Sequence, residues 1–87
     1  MFDVLFTETA LKQLKKLDRE IQRRIMSTIE RVRIRPEDFV KRLVGEPYFR
    51  LRAGDYRVIL DIKRDRMIIM VLYVGHRKNI YERYTGR

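Results

Sequence analysis

The feature that most constrains the fold is an alternation of apolar and polar residues on either side of Gly54-Asp55. Residues 48–53 and 56–62 change character with a period of two, as strands with one buried face do. Glycine at the first central position of a two-residue connection favours a type II′ hairpin turn. The predicted register then has three consecutive pairs: Ala53 with Tyr56, Arg52 with Arg57, and Leu51 with Val58.

This register separates the apolar side chains of the hairpin from the basic ones. Arg50, Arg52 and Arg57 lie on one face, and the other face carries the alternating apolar residues: Phe49, Leu51, Ala53, Tyr56, Val58, Leu60 and Ile62. A slip of one residue would bury the arginines, because successive strand residues point to opposite faces. The sequence therefore predicts a hairpin with one register and a basic outer face.

Two amphipathic helices are predicted before the hairpin, as antiparallel neighbours with almost no loop between them. Their apolar residues recur at helical spacing: Ala10, Leu11, Leu14 and Leu17, then Ile21, Ile25, Ile29 and Val32. Thr7 and Asp18 stand where the helices begin and are suited to cap them. Pro36 ends the second helix, and a loop is predicted from Arg35 to Pro47.

The remaining chain adds strands at both ends. Phe2–Phe6 is a short β-prone stretch, Lys63–Arg66 is predicted to turn, and Met67–Val74 is continuously apolar. An unbroken apolar run is typical of a strand that is covered on both faces. The order β-α-α-β-β-β predicts an α+β fold for a single domain over residues 1–87, in which an N-terminal helical hairpin packs on one face of an antiparallel hairpin sheet.

The charge balance predicts a polyanionic partner. The 87 residues include 21 Lys and Arg against 12 Asp and Glu, which gives a net charge of +9. Such an excess on a small domain suits either nucleic acid or an acidic protein. Charge alone gives attraction to phosphate groups without chemistry or specificity.

Several classes of protein are excluded or disfavoured. The chain has no cysteine, which excludes disulfides, thiolate chemistry and cysteine-based zinc sites. Its single histidine and scattered acidic residues show no metal-ligand spacing, so neither metal nor cofactor is expected. The N-terminus lacks the pattern of a signal peptide, and the longest apolar run is too short to cross a bilayer. We expect a cytoplasmic protein without a membrane partner.

The predicted pairing of Arg52 with Arg57 needs compensation, because like charges directly opposite each other destabilise a sheet. Two sources are open: an acidic neighbour such as Asp61, or an anionic ligand. Guanidinium groups match phosphate oxygens in a bidentate geometry. Arg77 follows the apolar strand in the basic tail and can join such a phosphate site.

The basic tail also carries a histidine and a tyrosine of interest. His76 is suited to proton transfer near neutral pH, or is an ordinary structural or exposed histidine. Tyr81 can stack on a nucleobase or contact a phosphate, or it can be a core or edge aromatic. The residues alone leave both choices open.

Taken in order, several short segments resemble the RelE/ParE toxin superfamily over nearly the whole chain. They are Ala10-Leu11-Lys12, Leu14-Lys15-Lys16-Leu17, Leu43-Val44-Gly45, Phe49-Arg50-Leu51-Arg52, Gly54-Asp55-Tyr56-Arg57-Val58, the apolar strand, Gly75-His76-Arg77 and Tyr81. Toxins of the RelE type are metal-independent endoribonucleases that cut messenger RNA in the ribosomal A site. The RNA's own 2′-hydroxyl attacks the adjacent phosphate, which leaves a 2′,3′-cyclic phosphate and a free 5′-hydroxyl.

The resemblance implies roles for individual residues. Arg57 and Arg77 would stabilise the phosphate and its transition state, and Arg50 would position the RNA or assist proton transfer. Tyr81 matches a catalytic tyrosine of the family's tail. RNA-binding positions are implied for three further residues: Tyr48, Arg52 and His76. Tyr48 and Arg50 stand where the RelE type has lysines, and arginine is not deprotonated in proteins, so Arg50 is a poor general base.

The resemblance also implies partners and alternatives. A RelB-like antitoxin would wrap the toxin, and the ribosome with its messenger RNA would be the target. The alternative function is that of a ParE-like toxin, which inhibits DNA gyrase without enzymatic activity on the same fold. A third possibility is a relative that binds RNA without cutting it.

Overall fold

A computed structural model of the chain describes residues 1–79, and these form two helices, a short 3₁₀ helix and five strands. In chain order the elements are β1 (Asp3–Phe6), α1 (Glu8–Lys15), α2 (Arg19–Val32), the 3₁₀ helix (Pro36–Asp38), β2 (Val40–Arg42), β3 (Phe49–Ala53), β4 (Tyr56–Lys63) and β5 (Ile68–His76). The strands make one sheet in the order β1-β5-β4-β3-β2. The predicted α+β fold is confirmed.

The hairpin between β3 and β4 has the predicted register. Ala53 pairs with Tyr56, Arg52 with Arg57, and Leu51 with Val58. Gly54 has a φ of 63°, and Asp55 lies outside the positive-φ region. A positive φ at the first central residue alone fits a type II′ turn and not type I′. The position of Gly54 therefore predicted the turn type correctly, and the alternation of residue types predicted the strand pairing.

The sheet differs from the predicted one in two respects. The predicted loop from Arg35 to Pro47 contains β2, which pairs antiparallel with β3. Three residues are too few to show an alternation of apolar and polar side chains in the sequence. The strand is recognisable only from its pairing with β3. The second difference is β1, which pairs parallel with β5 and makes the sheet mixed.

The helix caps were predicted with mixed success. Thr7 accepts a hydrogen bond from the Ala10 backbone N–H at 3.1 Å, as an N-cap residue does. Asp18 occupies the N-cap position of α2, but its side chain makes no capping hydrogen bond within the described residues. α1 ends at Lys15, and Leu17 packs against the core from the short connection that follows.

The main core lies between the two helices and one face of the sheet. Its largest fully buried members come from α2 and from three neighbouring strands: Ile25, Ile29, Val32, Leu51, Val58, Leu60, Ile69 and Val71. The prediction that the apolar strand is covered on both faces was wrong. Only one face of β5 is buried, the face that carries Ile69, Val71 and Val74, because both helices pack on this side of the sheet.

A β-bulge in β5 changes which face its residues occupy. Ile59 is opposite Tyr73, while the next residue, Leu60, is opposite Val71, so Leu72 is the extra residue. Val71 and Val74 therefore both face the helices although they are three positions apart. After the bulge, the odd-numbered residues of β5 lie on the face opposite the helices.

Side chains of the N-terminal segment bond the backbone at this bulge. The Thr7 hydroxyl donates to the Leu72 carbonyl oxygen at 3.2 Å, and the Val74 N–H donates to Gln13 Oε1 at 2.8 Å. Backbone groups displaced from a sheet need such partners, because a buried group without one is costly. α1 thus holds the bulge in place.

Replacement of Gln13 by leucine is expected to lower the free energy of unfolding by about 1–3 kcal/mol. The Val74 N–H loses its acceptor at a partly buried site, and leucine brings no replacement. Urea denaturation measures the change. Lys12→Leu, an exposed position on the same helix, is the matched control and should change stability by less than about 0.5 kcal/mol. Equal losses in both variants would contradict a role for the Gln13 amide.

Candidate functional site

The sheet face opposite the helices carries most of the predicted site residues. We call it the arginine face, defined by Arg50, Arg52, Arg57, Tyr73 and Gly75. Together with Lys41 and Ile59, they form two adjacent rows across the sheet: Arg52, Arg57 and Gly75 in one, and Lys41, Arg50, Ile59 and Tyr73 in the other. Neighbouring strands are about 4.8 Å apart, so these side chains start from one continuous patch.

Arg57 is the most buried charged residue of the patch, with 7% of its surface exposed. Its Nη1 donates to the carbonyl oxygens of Gly54 at 2.8 Å and Tyr56 at 3.0 Å. The guanidinium therefore folds back on the hairpin turn beside it. A charge this buried requires bonded donors, and the turn carbonyls fix its orientation.

Arg52 lies opposite Arg57 and is exposed. Asp61, one of the two expected sources of compensation, contacts Lys63 instead, with 3.1 Å between Oδ2 and Nζ. Asp61 is four residues along β4 from Arg57, about 13 Å at the rise of a strand, so Lys63 is the nearer cation. The Arg57 guanidinium is instead drawn towards the turn carbonyls, while Arg52 is open to solvent.

Tyr48 lies next to the arginine face, immediately before β3, and Arg50 is the second residue of that strand. Both are half-buried. Tyr48 packs against a small second cluster built on Leu43 and Ile59, which also includes Tyr73. Because Ile59 is on the same side of the sheet as the arginines, the structure brings four predicted residues together: Tyr48, Arg50, Arg52 and Arg57.

His76 is separated from these residues. It pairs with Tyr56 across the ladder, and the two rings meet edge to face with centroids 5.4 Å apart and planes at 75°. Tyr56 packs against the main core, so His76 lies on the helix side of the sheet. Its Nδ1 accepts a hydrogen bond from the Lys78 N–H at 3.3 Å. The structure does not bring His76 to the arginine face.

Arg77 directly follows β5 and is exposed. Its backbone N–H donates to the Asp55 carbonyl oxygen at 2.9 Å, which ties the end of β5 to the hairpin turn. Arg77 is therefore anchored beside the turn that also binds Arg57. Tyr81, the remaining predicted residue, lies outside the described residues.

Two residues of the arginine face were not predicted as site residues. Tyr73 and Gly75 face the arginines because the bulge at Leu72 reverses the alternation of β5. The sequence from Val71 to Val74 is apolar at every position. Such a run carries no periodic signal, so it gives no indication of where a bulge changes the phase.

The arrangement suits anion binding more than acid–base chemistry. Arginine remains protonated, and its planar fork matches phosphate oxygens. Within residues 1–79 no group of three or more metal-ligating side chains is placed to hold an ion. In the same range, no helix is both long enough and apolar enough to span a bilayer.

One carboxyl group with a lowered pKa, that of Glu37, lies well away from the arginine face. Its own backbone N–H and the Arg64 guanidinium lower the pKa of the Glu37 carboxyl, and the pair connects the 3₁₀ helix with the turn after β4. Arg64 follows Arg57 by seven positions, about 23 Å along a strand. This ion pair is exposed and contributes little to stability.

Comparison with known proteins identifies the family. Residues 4–81 match the family described as the ParE toxin of the type II toxin–antitoxin system parDE. The chain belongs to the RelE/ParE toxin superfamily, as the toxin of a type II toxin–antitoxin system. It is 34% identical over 85 residues to toxin RelE3 of Methanocaldococcus jannaschii, an alignment that covers 91% of this chain and 94% of the relative.

Solved structures agree with this assignment. The RelBE2 toxin–antitoxin complex of Mycobacterium tuberculosis matches with a TM-score of 0.80 and 28% identity, covering 86% of this chain and 96% of that chain. The intact RelBE complex of Escherichia coli matches with a TM-score of 0.76 and 25% identity, over 87% of this chain and 96% of that chain. The resemblance predicted from the short segments is confirmed.

Proposed function

We propose that this toxin cleaves messenger RNA in the ribosomal A site, with the arginine face as the RNA-binding and catalytic surface. The observation that carries the proposal is the placement of Arg57. Its buried guanidinium is held by the carbonyls of Gly54 and Tyr56, beside Arg50 and Arg52 on the sheet face opposite the helices. Cationic donors fixed before the substrate arrives stabilise developing negative charge without reorganisation.

The proposed reaction is an internal transfer of the phosphate. The 2′-oxygen of one nucleotide attacks the adjacent phosphorus, and the bond to the 5′-oxygen of the next nucleotide breaks. The 2′-hydroxyl loses a proton and the departing 5′-oxygen gains one, so the products are a 2′,3′-cyclic phosphate and a 5′-hydroxyl. No metal takes part in this scheme. Negative charge accumulates on the equatorial phosphate oxygens, where Arg57 and Arg77 act.

The other predicted residues take supporting roles. Arg50 positions the RNA beside Arg57, and Tyr48 and Arg52 contact it at the rim of the arginine face. His76, across the sheet from the arginines, takes an RNA contact at the sheet edge and no part in proton transfer. Tyr81 acts from the tail. Catalysis is then mainly electrostatic, and the ribosome contributes by holding the codon in line for attack.

We further propose a RelB-like antitoxin as the protein partner and the cytoplasm as the place of action. The matched structures from Mycobacterium tuberculosis and Escherichia coli are both toxin–antitoxin complexes. A net charge of +9 suits an acidic segment that wraps the toxin and covers its arginines.

Primer extension on a defined messenger RNA with programmed ribosomes tests the proposal. The antitoxin-free toxin should produce new stops within the A-site codon, with or without a chelator dosed low enough to keep ribosomes intact. Ribosome binding without stops would instead indicate an RNA-binding relative.

Inhibition of DNA gyrase is the second candidate, because the matched family is described as the ParE toxin of parDE. A supercoiling assay separates the two functions. Inhibited supercoiling by a toxin that leaves messenger RNA intact would replace the nuclease proposal.

A further inference from the structure

We propose that Tyr73 is a nucleobase-binding residue of the arginine face, and that its ring stacks on a base of the RNA whose phosphates the arginines hold. The inference rests on the proposed function and specifies a contact to the base, whereas arginine contacts to phosphate carry no sequence information. Aromatic rings are general platforms for single-stranded bases, because every base has a π-face.

The bulge at Leu72 is the first observation behind this proposal. Without it, simple alternation after Val71 would direct Tyr73 into the main core and Val74 towards the arginines. With it, Tyr73 is opposite Ile59 and shares a row with Arg50. Bulges are frequent beside functional sites, where they re-aim a side chain.

Gly75 is the second observation. A Cβ built on Gly75 would lie 3.1 Å from Cε1 of Tyr73, so the tyrosine ring passes directly over this glycine. Gly75 does not have a positive φ, so its backbone would accept other residues. Glycine within a strand costs about 0.5–1 kcal/mol relative to alanine. The space that it leaves is taken by the Tyr73 ring, which is thereby laid down towards Arg57, the cross-strand partner of Gly75.

The geometry thus joins an aromatic ring to a cationic row. Arg50 stands two strands from Tyr73 in the same row, and Arg57 lies next to Gly75 in the adjacent one. Tyr73 is half-buried, with its inner side on the cluster of Leu43 and Ile59. A nucleotide bound with its phosphate at the arginines places its base beside the Tyr73 ring.

A purely structural role for Tyr73 makes a different prediction. If the ring only filled the small cluster around Ile59, leucine in its place would change stability and leave RNA contacts intact. The test therefore reads base stacking directly. Ribosomes are programmed with a messenger RNA that carries 2-aminopurine in the A-site codon and a 2′-O-methyl group at the attacking position, so that binding occurs without cleavage.

Wild-type toxin is expected to quench the 2-aminopurine fluorescence, and Tyr73→Phe to quench it equally. Tyr73→Leu should lose the quenching and bind about 10- to 100-fold more weakly, the range expected for loss of one base–aromatic stack. Gly75→Ala keeps the tyrosine but raises its ring. Its quenching and affinity should lie between those of wild type and those of Tyr73→Leu. Phe39→Leu is the matched control, because Phe39 is a 41% exposed aromatic beside α2, and it should quench like wild type. Thermal midpoints establish that each variant is folded.

The outcomes separate this inference from the proposed function. Undiminished quenching by folded Tyr73→Leu, or an unquenched base with a wild-type toxin that cleaves unmodified message, overturns the role of Tyr73 alone. Quenching that depends on Tyr73 without any cleavage of unmodified message supports the stacking contact and contradicts the nuclease.

Discussion

Replacement of Arg57 by alanine is expected to lower ribosome-dependent cleavage by about 100- to 1,000-fold, the usual effect of removing one preorganised donor from a developing oxyanion. The guanidinium is buried and already oriented by the carbonyls of Gly54 and Tyr56. A group held in this way loses little freedom when the transition state forms. The rate should be measured in a single turnover, with the toxin in excess over programmed ribosomes.

Arg57→Lys distinguishes the effect of the planar arrangement of guanidinium donors from the effect of the positive charge. Lysine keeps the positive charge but cannot contact two turn carbonyls and a phosphate in one plane, so we expect only partial recovery of the rate. Arg66→Ala is the matched control, since it removes an exposed arginine from the turn between β4 and β5 and should cleave like wild type. A similar loss in Arg57→Ala and Arg66→Ala would show that only net charge matters.

The stability of these variants must be followed as well. Removal of the Arg57 side chain deprives the Gly54 and Tyr56 carbonyls of a donor. Such a loss costs about 1–3 kcal/mol where water cannot replace the donor. Cleavage is therefore compared at a temperature where circular dichroism shows every variant folded.

The hairpin shows how much of this fold can be predicted from local sequence patterns. Alternation on both sides of Gly54 predicted the β3–β4 register residue by residue, because a slip would have buried arginines. The two helices were equally visible in the spacing of their apolar residues. By contrast, β2 has three residues and no period of its own, and its existence depends on pairing with β3.

The candidate site was predictable only in part, and the bulge in β5 explains why. Arg50, Arg52 and Arg57 belong to strands whose alternation fixes their face, so their proximity could be predicted. Tyr73 and His76 come after the bulge at Leu72. The sequence around the bulge is an unbroken apolar run, so it does not indicate which of these residues face the helices. One extra residue placed the histidine on the helix side and the tyrosine with the arginines.

The burial of Arg57 was also beyond sequence reasoning. Its position on the outer face of the hairpin gave no indication of burial, yet it is 7% exposed. The hydrogen bonds to the turn carbonyls orient this buried charge, which is why the proposed catalytic role falls on Arg57 rather than on the exposed Arg52.

Replacement of Leu60 by alanine is expected to lower the free energy of unfolding by about 2–5 kcal/mol, through lost burial and the cavity that remains. Leu60 is fully buried in β4, the middle strand of the sheet. Domains of this size are stable by only about 5–15 kcal/mol, so one substitution removes a large share. Urea denaturation should show a single transition at a lower midpoint.

Leu11→Ala is the control, because Leu11 is 38% exposed on α1 and should cost less than about 1 kcal/mol. Leu60 faces the helices, on the side of the sheet opposite Arg57. The folded fraction of Leu60→Ala should therefore cleave at the wild-type rate per molecule, whereas Arg57→Ala should be folded and slow. A Leu60→Ala protein that is fully folded yet slow would mean that the main core controls the geometry of the arginine face, and that the two sides of the sheet are not independent.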